Sequence, residues 1–448
     1  MNALQQYLDL YAQQRATIDA HAPEAMNALR AEALRHLDGA TLPRKGDEDY
    51  EATDLEAVFA PNYGVNLRRV DFARAQGSTP FTCGVAHLST RVVHYHNDIP
   101  AVDEAARLLD GVVVETFAQA AVHHPEVLRR HLGSAASLHH VPTALNTLLA
   151  QDGILVLVPR GVHASRPVQL ISVLNAAAPL LAARRLLVVL EPGSSVQLLV
   201  CDHTAGTGHD YLPLQVTEII AGEDATCDFY DMEESSSRTH RVAAIWVKQQ
   251  RGSNVLVDSI TLTNGFTRND FHVDVDGENA TTHLLGMCIA GGRQHVDNRT
   301  FLSHNAPACT SREMFKYVLN DEAVGAFAGK ILVKPGCPRT DAYQGNRNLV
   351  ASPAARMHTK PQLEIYTDDV KCAHGSTIGQ LDEEALFYMR SRGIGLEVAR
   401  TLLMQAFMDD VVEAVRLPSL KQRLRHLVER RFVGAPTLCS GCDLTPTP

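Results

Sequence analysis

Turn signals recur through the middle of the chain at a nearly constant spacing, and this period restricts the fold more than any other feature. The turn glycines at positions 193, 222, 252 and 277 are separated by 29, 30 and 25 residues. Short β-rich segments run between them, and in places, as at 271–276, apolar and polar residues alternate as in a half-buried strand. The four turns are PGSS at 192, AGED at 221, RGSN at 251 and DGEN at 276.

A repeat of this length is typical of stacked coils, because one coil cannot cover its own apolar face and needs neighbours above and below. An antiparallel β-sandwich is the alternative, but its turns usually come about every 8–12 residues. The period therefore predicts a mainly β chain whose core, over residues 151–375, is a solenoid resembling a β-helix.

Helical patterns lie on both sides of this core. Apolar residues follow helical spacing up to about residue 40, and again within 103–150, where DEAARLLDGVVVETFAQAA is predicted to be helical. The polar, turn-rich stretch between them, 41–63, is predicted to be a linker or partly ordered arm. Helical spacing returns after residue 380. The predicted division is an N-terminal helical region with linker (1–150), the β core (151–375), a C-terminal helical domain (376–435) and a flexible tail (436–448).

The charge and hydropathy of the chain exclude several classes of protein. The 41 Lys and Arg residues against 51 Asp and Glu give a net charge of −10, which offers no basic footprint for nucleic acid or an anionic membrane. No window approaches the roughly 20 apolar residues of a membrane span. The nine cysteines are odd in number and scattered, as in reduced cytosolic proteins. A cytoplasmic protein without a secretory signal is expected.

Several short motifs suggest chemistry but fit it poorly. GAFAGKI (325–331) departs from a phosphate-binding loop in glycine spacing and in having Ile331 where Ser or Thr would bind magnesium, so a β-strand and no nucleotide site are predicted. Cys439 and Cys442 have the spacing of a zinc knuckle or redox pair, but lack a second pair nearby. The histidine doublets at 123–124 and 139–140 are of the kind that is more often surface or hydrogen-bonded than metal-ligating.

Cys372 and His374 form the most specific polar pair in the sequence. They are separated by Ala373, so in an extended strand both side chains project from the same face. A thiolate and an imidazole on one face suit Fe, Zn or Cu(I), with the remaining ligands coming from a partner. They also suit a Cys–His nucleophile, and a buried cysteine beside a hydrogen-bonded histidine remains a third interpretation.

The helical segment after residue 380 has more apolar residues than one buried stripe needs. Apolar residues on more than one side of a small helical unit indicate a second face that is available to another protein. The residues concerned are Leu386, Phe387, Met389, Leu396, Leu403 and Phe407.

Two long stretches carry a resemblance to a known family. Residues 340–412, which include DDVKCAHGST, and residues 152–173 (DGILVLVPRGVHASRPVQLISV) closely resemble the SufB/SufD family, and the resemblance extends over about 103–430. Within the family the chain is most like the SufD branch. In SufB chains the histidine is followed by a glutamate, whereas in this chain Gly375 follows His374. SufB chains also have a cysteine upstream, and the nearest matching positions in this chain are Asn346 and Arg347.

The resemblance implies a right-handed parallel β-helix core flanked by N-terminal and C-terminal α-helical domains. It also implies a non-catalytic subunit of the cytosolic SufBCD complex, which assembles iron–sulfur clusters. The chain would pair with SufB through the β-helix cores and hold one copy of the ATPase SufC by its C-terminal helices. His374 would be a ligand of iron or of a transient cluster at the SufB interface, with Cys372 beside it, and the C-terminal apolar residues would dock the ATPase.

Two alternatives remain at this stage. One is a scaffold homodimer of the SufB kind. The other is a self-sufficient, metal-dependent lyase on a β-helix.

Overall fold

A computed structural model describes residues 2–71, 92–102, 108–205 and 208–433. The part before the solenoid combines helices with short strands. The helices are α1 (Ala3–His21), α2 (Glu24–Leu37), α3 (Leu55–Phe59), α4 (Phe117–His123), α5 (Pro125–His131) and α6 (Val141–Leu149). The strands are β1 (Gly64–Val65), β2 (Val92–His96), β3 (Ile99–Ala101), β4 (Leu108–Leu109) and β5 (Val112–Thr116).

The strands that follow alternate between two sheets, so each coil of the solenoid gives one strand to each. The first sheet contains β6 (Ile154–Val158), β8 (Leu180–Leu190), β10 (Tyr211–Ala221), β12 (His240–Gln249), β14 (Phe266–Val275), β16 (His295–His304), β18 (Val324–Val333) and β20 (Arg356–Ile365). The second contains β7 (Val168–Leu174), β9 (Ser195–Thr204), β11 (Thr226–Glu234), β13 (Asn254–Thr263), β15 (Thr281–Ala290), β17 (Thr310–Leu319), β19 (Thr340–Val350) and β21 (Val370–Gly379).

Every pairing between successive coils is parallel, which confirms the solenoid and contradicts the antiparallel sandwich. Equivalent residues stack from coil to coil, as Leu198, Phe229, Val257 and Leu284 do along the inner side of the second sheet. These side chains belong to the apolar core enclosed between the two sheets. Because each inner position is repeated by the next coil, the period read from the sequence is the length of one coil.

The four predicted turns all lie at one edge of the solenoid, where the chain passes from the first sheet to the second. Gly193 has φ of 70°, a left-handed conformation that favours glycine. Gly277 is required for a different reason, since a Cβ atom there would lie 1.9 Å from the backbone nitrogen of Arg251 on the preceding coil. The stacking of coils therefore depends on glycine at this turn.

Helices cover the outer faces of both sheets. The N-terminal helices pack against the first sheet. After the last strand come α7 (Glu383–Ser391), α8 (Leu396–Ala414) and α9 (Pro418–Phe432), and the latter two pack against the second sheet. The predicted mainly β fold with helices before and after the core is thus confirmed. No helix in the described part of the chain is both long and apolar enough to cross a membrane.

Two predictions about local structure have different outcomes. The prediction that GAFAGKI is a strand is confirmed, because it lies within β18. The helix predicted over 103–121 is wrong for Val112–Thr116, which forms β5 and pairs antiparallel with β6 through Val113 and Leu157. The run of three valines in β5 carries no helical period, and its pairing is with residues far along the chain.

The polar arm within 41–63 is anchored on the outer face of the first sheet. The aromatic ring of Tyr50 is buried, and the guanidinium of Arg268 lies 4.1 Å from the centre of that ring. Thr53 is also buried, and its hydroxyl lies 3.0 Å from Nε2 of His295. The arm is therefore packed against the solenoid.

Candidate functional site

The last coil of the solenoid is its open end. In the described residues, no strand pairs with the outer edge of β20 or of β21, whereas β2 to β5 extend both sheets at the other end. Most residues of β20 and β21 are exposed or only partly buried, in contrast to the buried strands of the preceding coils. An edge of this kind presents unpaired backbone N–H and C=O groups that another chain can pair with.

Cys372 and His374 both lie on this edge strand, β21, and project from its inner side. Cys372 stands beside Ala342 of β19 and packs against the apolar core, so its thiol is half-buried. His374 is exposed, because no further coil covers it. The two candidate ligands are thus adjacent on one face at the end of the solenoid.

The environment of Cys372 does not activate it as a nucleophile. Burial raises the pKa of the Cys372 thiol, and the negative charge of Asp341 raises this pKa further. A catalytic Cys–His pair has the opposite effect, since an imidazolium lowers the thiol pKa. In this chain the thiol is therefore protonated at neutral pH.

A ladder of polar residues lies behind His374 on the inner side of the second sheet. His374 stands in register with Gln344, which stands in register with Glu313 one coil earlier. The carboxylate Oε2 of Glu313 accepts hydrogen bonds of 2.9 Å from Gln344 Nε2 and from Thr300 Oγ1. Burial raises the pKa of Glu313 to about 7. The exposed imidazole is therefore backed by a buried amide and a buried carboxyl.

Sequence reasoning missed Gln344 and Glu313, although a signal for them existed. Glu313 lies one coil before Gln344, and Gln344 lies one coil before His374. Adding the repeat length to the position of Glu313 therefore leads to Gln344 and then to His374. Neither residue belongs to a local motif. They could have been found only by using the repeat length to align equivalent positions of successive coils.

The two sheets are joined at the last coil by hydroxyl and amide groups. Thr359 Oγ1 of β20 lies 2.8 Å from Ser376 Oγ of β21 and donates a hydrogen bond of 2.8 Å to Asn346 Oδ1. Asn346, one of the two positions compared with the upstream SufB cysteine, is fully buried in this network. That position thus supplies an amide to the end of the solenoid, while Cys372 supplies a thiol.

A shallow depression of about 390 Å³ opens beside Cys372 on the surface. Its rim carries charged side chains, including Lys371 and the ion pair of Arg312 with Asp341, whose Nη2 and Oδ2 atoms are 2.9 Å apart. The strand end is therefore flanked by polar groups suited to a protein partner's hydrogen bonds.

The C-terminal apolar residues fall into an exposed and a supporting group. Phe387 is 74% exposed, and Leu396 is also exposed, as are neighbouring Tyr388, Val398 and Leu402. Leu386 is only 4% exposed. Met389 and Leu403 are partly buried. The exposed residues on α7 and the first half of α8 form a patch, hereafter the α7–α8 patch.

Phe407 lies deeper than the patch and contacts the solenoid. Its side chain packs against the apolar cluster between α8 and the second sheet. The ammonium of Lys316 lies 4.9 Å from the centre of the ring and donates a hydrogen bond of 2.7 Å to the Phe407 carbonyl oxygen. This residue therefore holds α8 against β17.

The remaining candidate thiols, Cys439 and Cys442, lie outside the described residues. Within the described ranges, Cys372 is the one cysteine that is not fully buried. It is accordingly the thiol in those ranges that a partner or metal ion can reach most directly.

The sequence matches two family models that together span most of the chain. Residues 172–407 match the model described as "SUF system FeS cluster assembly, SufBD core domain". Residues 1–170 match the model described as "SufBD protein N-terminal region".

Relatives of known name agree with these models. The chain is 30% identical over 402 residues to an iron–sulfur cluster assembly SufBD family protein of Synechocystis, covering 88% of each chain. It is 37% identical over 176 residues to the iron–sulfur cluster assembly protein SufD of Escherichia coli, which is 39% of this chain and 42% of that protein. It is 26% identical over 325 residues to SufD of Bacillus subtilis, covering 72% and 74%.

Proposed function

Because the chain belongs to the SufB/SufD family and takes part in iron–sulfur cluster assembly, we propose that it is the SufD-type subunit of a cytoplasmic SufBCD complex. In this proposal it pairs with SufB and binds the ATPase SufC, and it performs no catalysis of its own. Iron or a nascent cluster is the cargo at the SufB interface.

The open last coil is the observation that carries this proposal. A solenoid end with unpaired strand edges is a site for β-pairing or aggregation unless it is capped. In this chain that end bears Cys372 and His374 on its edge strand, β21. Pairing with a second solenoid would cover the edge and place the partner's side chains opposite these two.

Cys372 and His374 would hold the cargo jointly with the partner. An imidazole nitrogen and a thiolate suit iron, but two ligands leave a tetrahedral site incomplete. His374 is the more available ligand because it is exposed, whereas the half-buried Cys372 must first lose its proton. We therefore assign His374 as the principal ligand and Cys372 as its neighbour.

The ATPase would dock on the α7–α8 patch. The patch is apolar, exposed and contributed by the C-terminal helices, as the docking proposal requires. GAFAGKI lies within the strand β18, and the nucleotide chemistry is assigned to SufC. Leu386, Phe407 and the partly buried Leu403 would support the docking helices from beneath.

A charge at the open end tests the proposed pairing. Ile378 of β21 is 53% exposed, so Ile378→Glu leaves the fold intact but would bury a carboxylate in the proposed interface. Val122→Glu on α4, where the side chain is 75% exposed, is the matched control. The chain and the control should co-purify with SufB, while Ile378→Glu should bind SufB at least 10-fold more weakly. Unchanged binding of SufB by folded Ile378→Glu would contradict pairing through the last coil.

A further inference from the structure

Three potential metal ligands meet far from the last coil, on the outer face of the first sheet. Asp270 and His272 project from the outer side of β14, and His140 lies directly before α6, which covers this part of the sheet. One ligand atom from each residue lies within 4.8 Å of the others. Two imidazole nitrogens and one carboxylate oxygen are a donor set that divalent zinc and iron accept.

Nε2 of His272 is buried and has no hydrogen-bond partner in the described residues. Nε2 of His140 is also shielded from solvent, and it pairs with Asp270 Oδ2 at 3.4 Å. Buried polar atoms are nearly always paired, so the unpaired nitrogen of His272 beside this His–Asp pair indicates a missing ligand.

Neighbouring side chains fix the orientation of both rings. The indole of Trp246 stacks on the His272 ring, with 3.9 Å between ring centres and 8° between planes. His140 Nδ1 lies 2.8 Å from Thr143 Oγ1, which can accept its proton and leave the Nε2 lone pair free. Outer contacts of this type orient the histidine ligands of metal sites.

The carboxylate of Asp270 is fully buried and held by Arg268, whose Nη2 atom donates a hydrogen bond of 2.7 Å to Oδ1. Arg268 also bonds Asp297, through Nη1 and Oδ2 at 2.6 Å, so the three charged groups together carry one net negative charge. Oδ2 of Asp270, on the side of His140, accepts a hydrogen bond of 3.1 Å from Arg268 Nε and keeps its second lone pair for a cation. The local charge therefore favours a divalent ion.

The geometry requires only a small adjustment to close around an ion. Ligand atoms at roughly 2.0–2.2 Å from zinc lie about 3.5 Å from one another in a tetrahedral site. The separation of His140 and Asp270 already has this value. The third ligand atom, on His272, lies within 4.8 Å of the other two, so a shift of this side chain would complete the site.

We propose that His140, Asp270 and His272 form a binding site for a divalent transition-metal ion, zinc or ferrous iron, distinct from the site at Cys372 and His374. The side chain of His140 is 11% exposed, so an ion could reach the site beside this residue. The ion would tie the loop before α6 to β14. This inference does not depend on the proposed SufD function.

Titration of the metal-free full-length chain with Co²⁺ tests the site, because Co²⁺ reports its ligands in its absorption spectrum. The chain should bind one equivalent of Co²⁺, and the bound ion should show the weak visible absorption bands that nitrogen and oxygen ligands produce. Thiolate charge-transfer absorption in the near ultraviolet would identify Co²⁺ at cysteines. His140→Ala and His272→Phe, which keeps the ring stacked on Trp246, should each weaken this equivalent about 100-fold or more. Competition with Zn²⁺ should displace it.

His240→Ala is the matched control. His240 is a partly buried histidine on the same outer face, and its Nδ1 atom lies 2.9 Å from the Tyr63 hydroxyl. The His240→Ala variant should bind Co²⁺ as the unaltered chain does. Circular dichroism should show that all variants are folded. The proposal is overturned if the chain binds no Co²⁺ with nitrogen and oxygen ligands. It is also overturned if His272→Phe still binds this equivalent of Co²⁺, or if His240→Ala no longer binds it.

Discussion

Gln344 Nε2 donates a hydrogen bond of 2.9 Å to Glu313 Oε2 inside the last coils of the solenoid. The pair connects the buried interior to the edge strand, because His374 stands in register with Gln344. Oε1 of Glu313 has no hydrogen-bond partner and is buried, so a negative charge there would be poorly solvated. The protonation of Glu313 therefore affects the stability of the end of the solenoid that we assign to partner binding.

We expect Glu313→Gln to stabilise the chain relative to wild type as the pH rises. Burial raises the pKa of Glu313 from 4.5 to about 7, so its contribution to stability is full below about pH 4.5 and falls as the pH approaches 7. Glutamine keeps both hydrogen bonds and cannot ionise. The advantage of the variant should grow by on the order of 2 kcal/mol between pH 5 and pH 8.

Thermal midpoints at a fixed scan rate measure this difference. Glu322→Gln is the control, because Glu322 is exposed and its carboxylate pairs with Arg293 at the surface. Its midpoint should follow that of the wild type at each pH. A constant difference between Glu313→Gln and wild type from pH 5 to pH 8 would contradict the buried, protonated Glu313.

His374→Ala should reduce cluster assembly severalfold in the reconstituted complex while leaving the fold unchanged. The imidazole is exposed, so its removal costs no core packing but removes a proposed ligand. Cys372→Ala should have a milder effect, since a partner thiol could take over coordination. Iron and sulfide content of the purified complex measures both effects. His163→Ala, at an exposed histidine on the surface, is the control, and wild-type cluster content in His374→Ala would refute its role as a ligand.

Phe387→Glu should cost several kcal/mol of SufC binding, because it places a carboxylate in the proposed apolar contact. The side chain is exposed, so circular dichroism and the thermal midpoint should not change. Val122→Glu serves as the control for an added charge at an exposed apolar position. If folded Phe387→Glu bound SufC with wild-type affinity, Phe387 would not be part of the docking surface.

Phe407→Glu should act differently from Phe387→Glu. Its ring packs between α8 and the second sheet, so a carboxylate there would be buried among apolar residues. We expect a lower thermal midpoint, with any loss of SufC binding following from the displaced helix. A variant with an unchanged midpoint and lost binding would instead place Phe407 in the contact itself.

Gly277→Ala should lower the stability of the solenoid by roughly 1–3 kcal/mol. The added methyl would overlap the backbone of Arg251, which cannot move without separating two coils. Gly379→Ala is the matched control, because no atom lies within 4 Å of a Cβ placed there. Thermal unfolding of both variants compares them, and equal midpoints would show that the coils are not stacked as described.

The sequence predicted the repeat well because the same physical requirement recurs in every coil. Each turn needs glycine or a polar residue at the same edge, and each inner position needs an apolar side chain. The helix predicted over Val112–Thr116 failed because the strand is defined by its distant partner β6 and has no period of its own. Local pattern carries no information about such a pairing.

The candidate sites also differ in whether their residues are neighbours in the sequence. Cys372 and His374 were recognised as a pair because they are neighbours on one strand. The meeting of His140 with Asp270 and His272 could not be predicted, since the loop before α6 reaches β14 only through the packing of the N-terminal helices on the first sheet. Its chemistry depends on contacts between distant parts of the chain.

Native mass spectrometry of the chain co-expressed with SufB and SufC tests whether it is the SufD-type subunit of a SufBCD complex. We expect one copy of this chain, one of SufB and two of SufC in a single complex. Ile378→Glu should dissociate SufB, and Phe387→Glu should lose one SufC. A chain that remains alone, or that forms a homodimer with SufC while SufB stays free, would contradict this assignment.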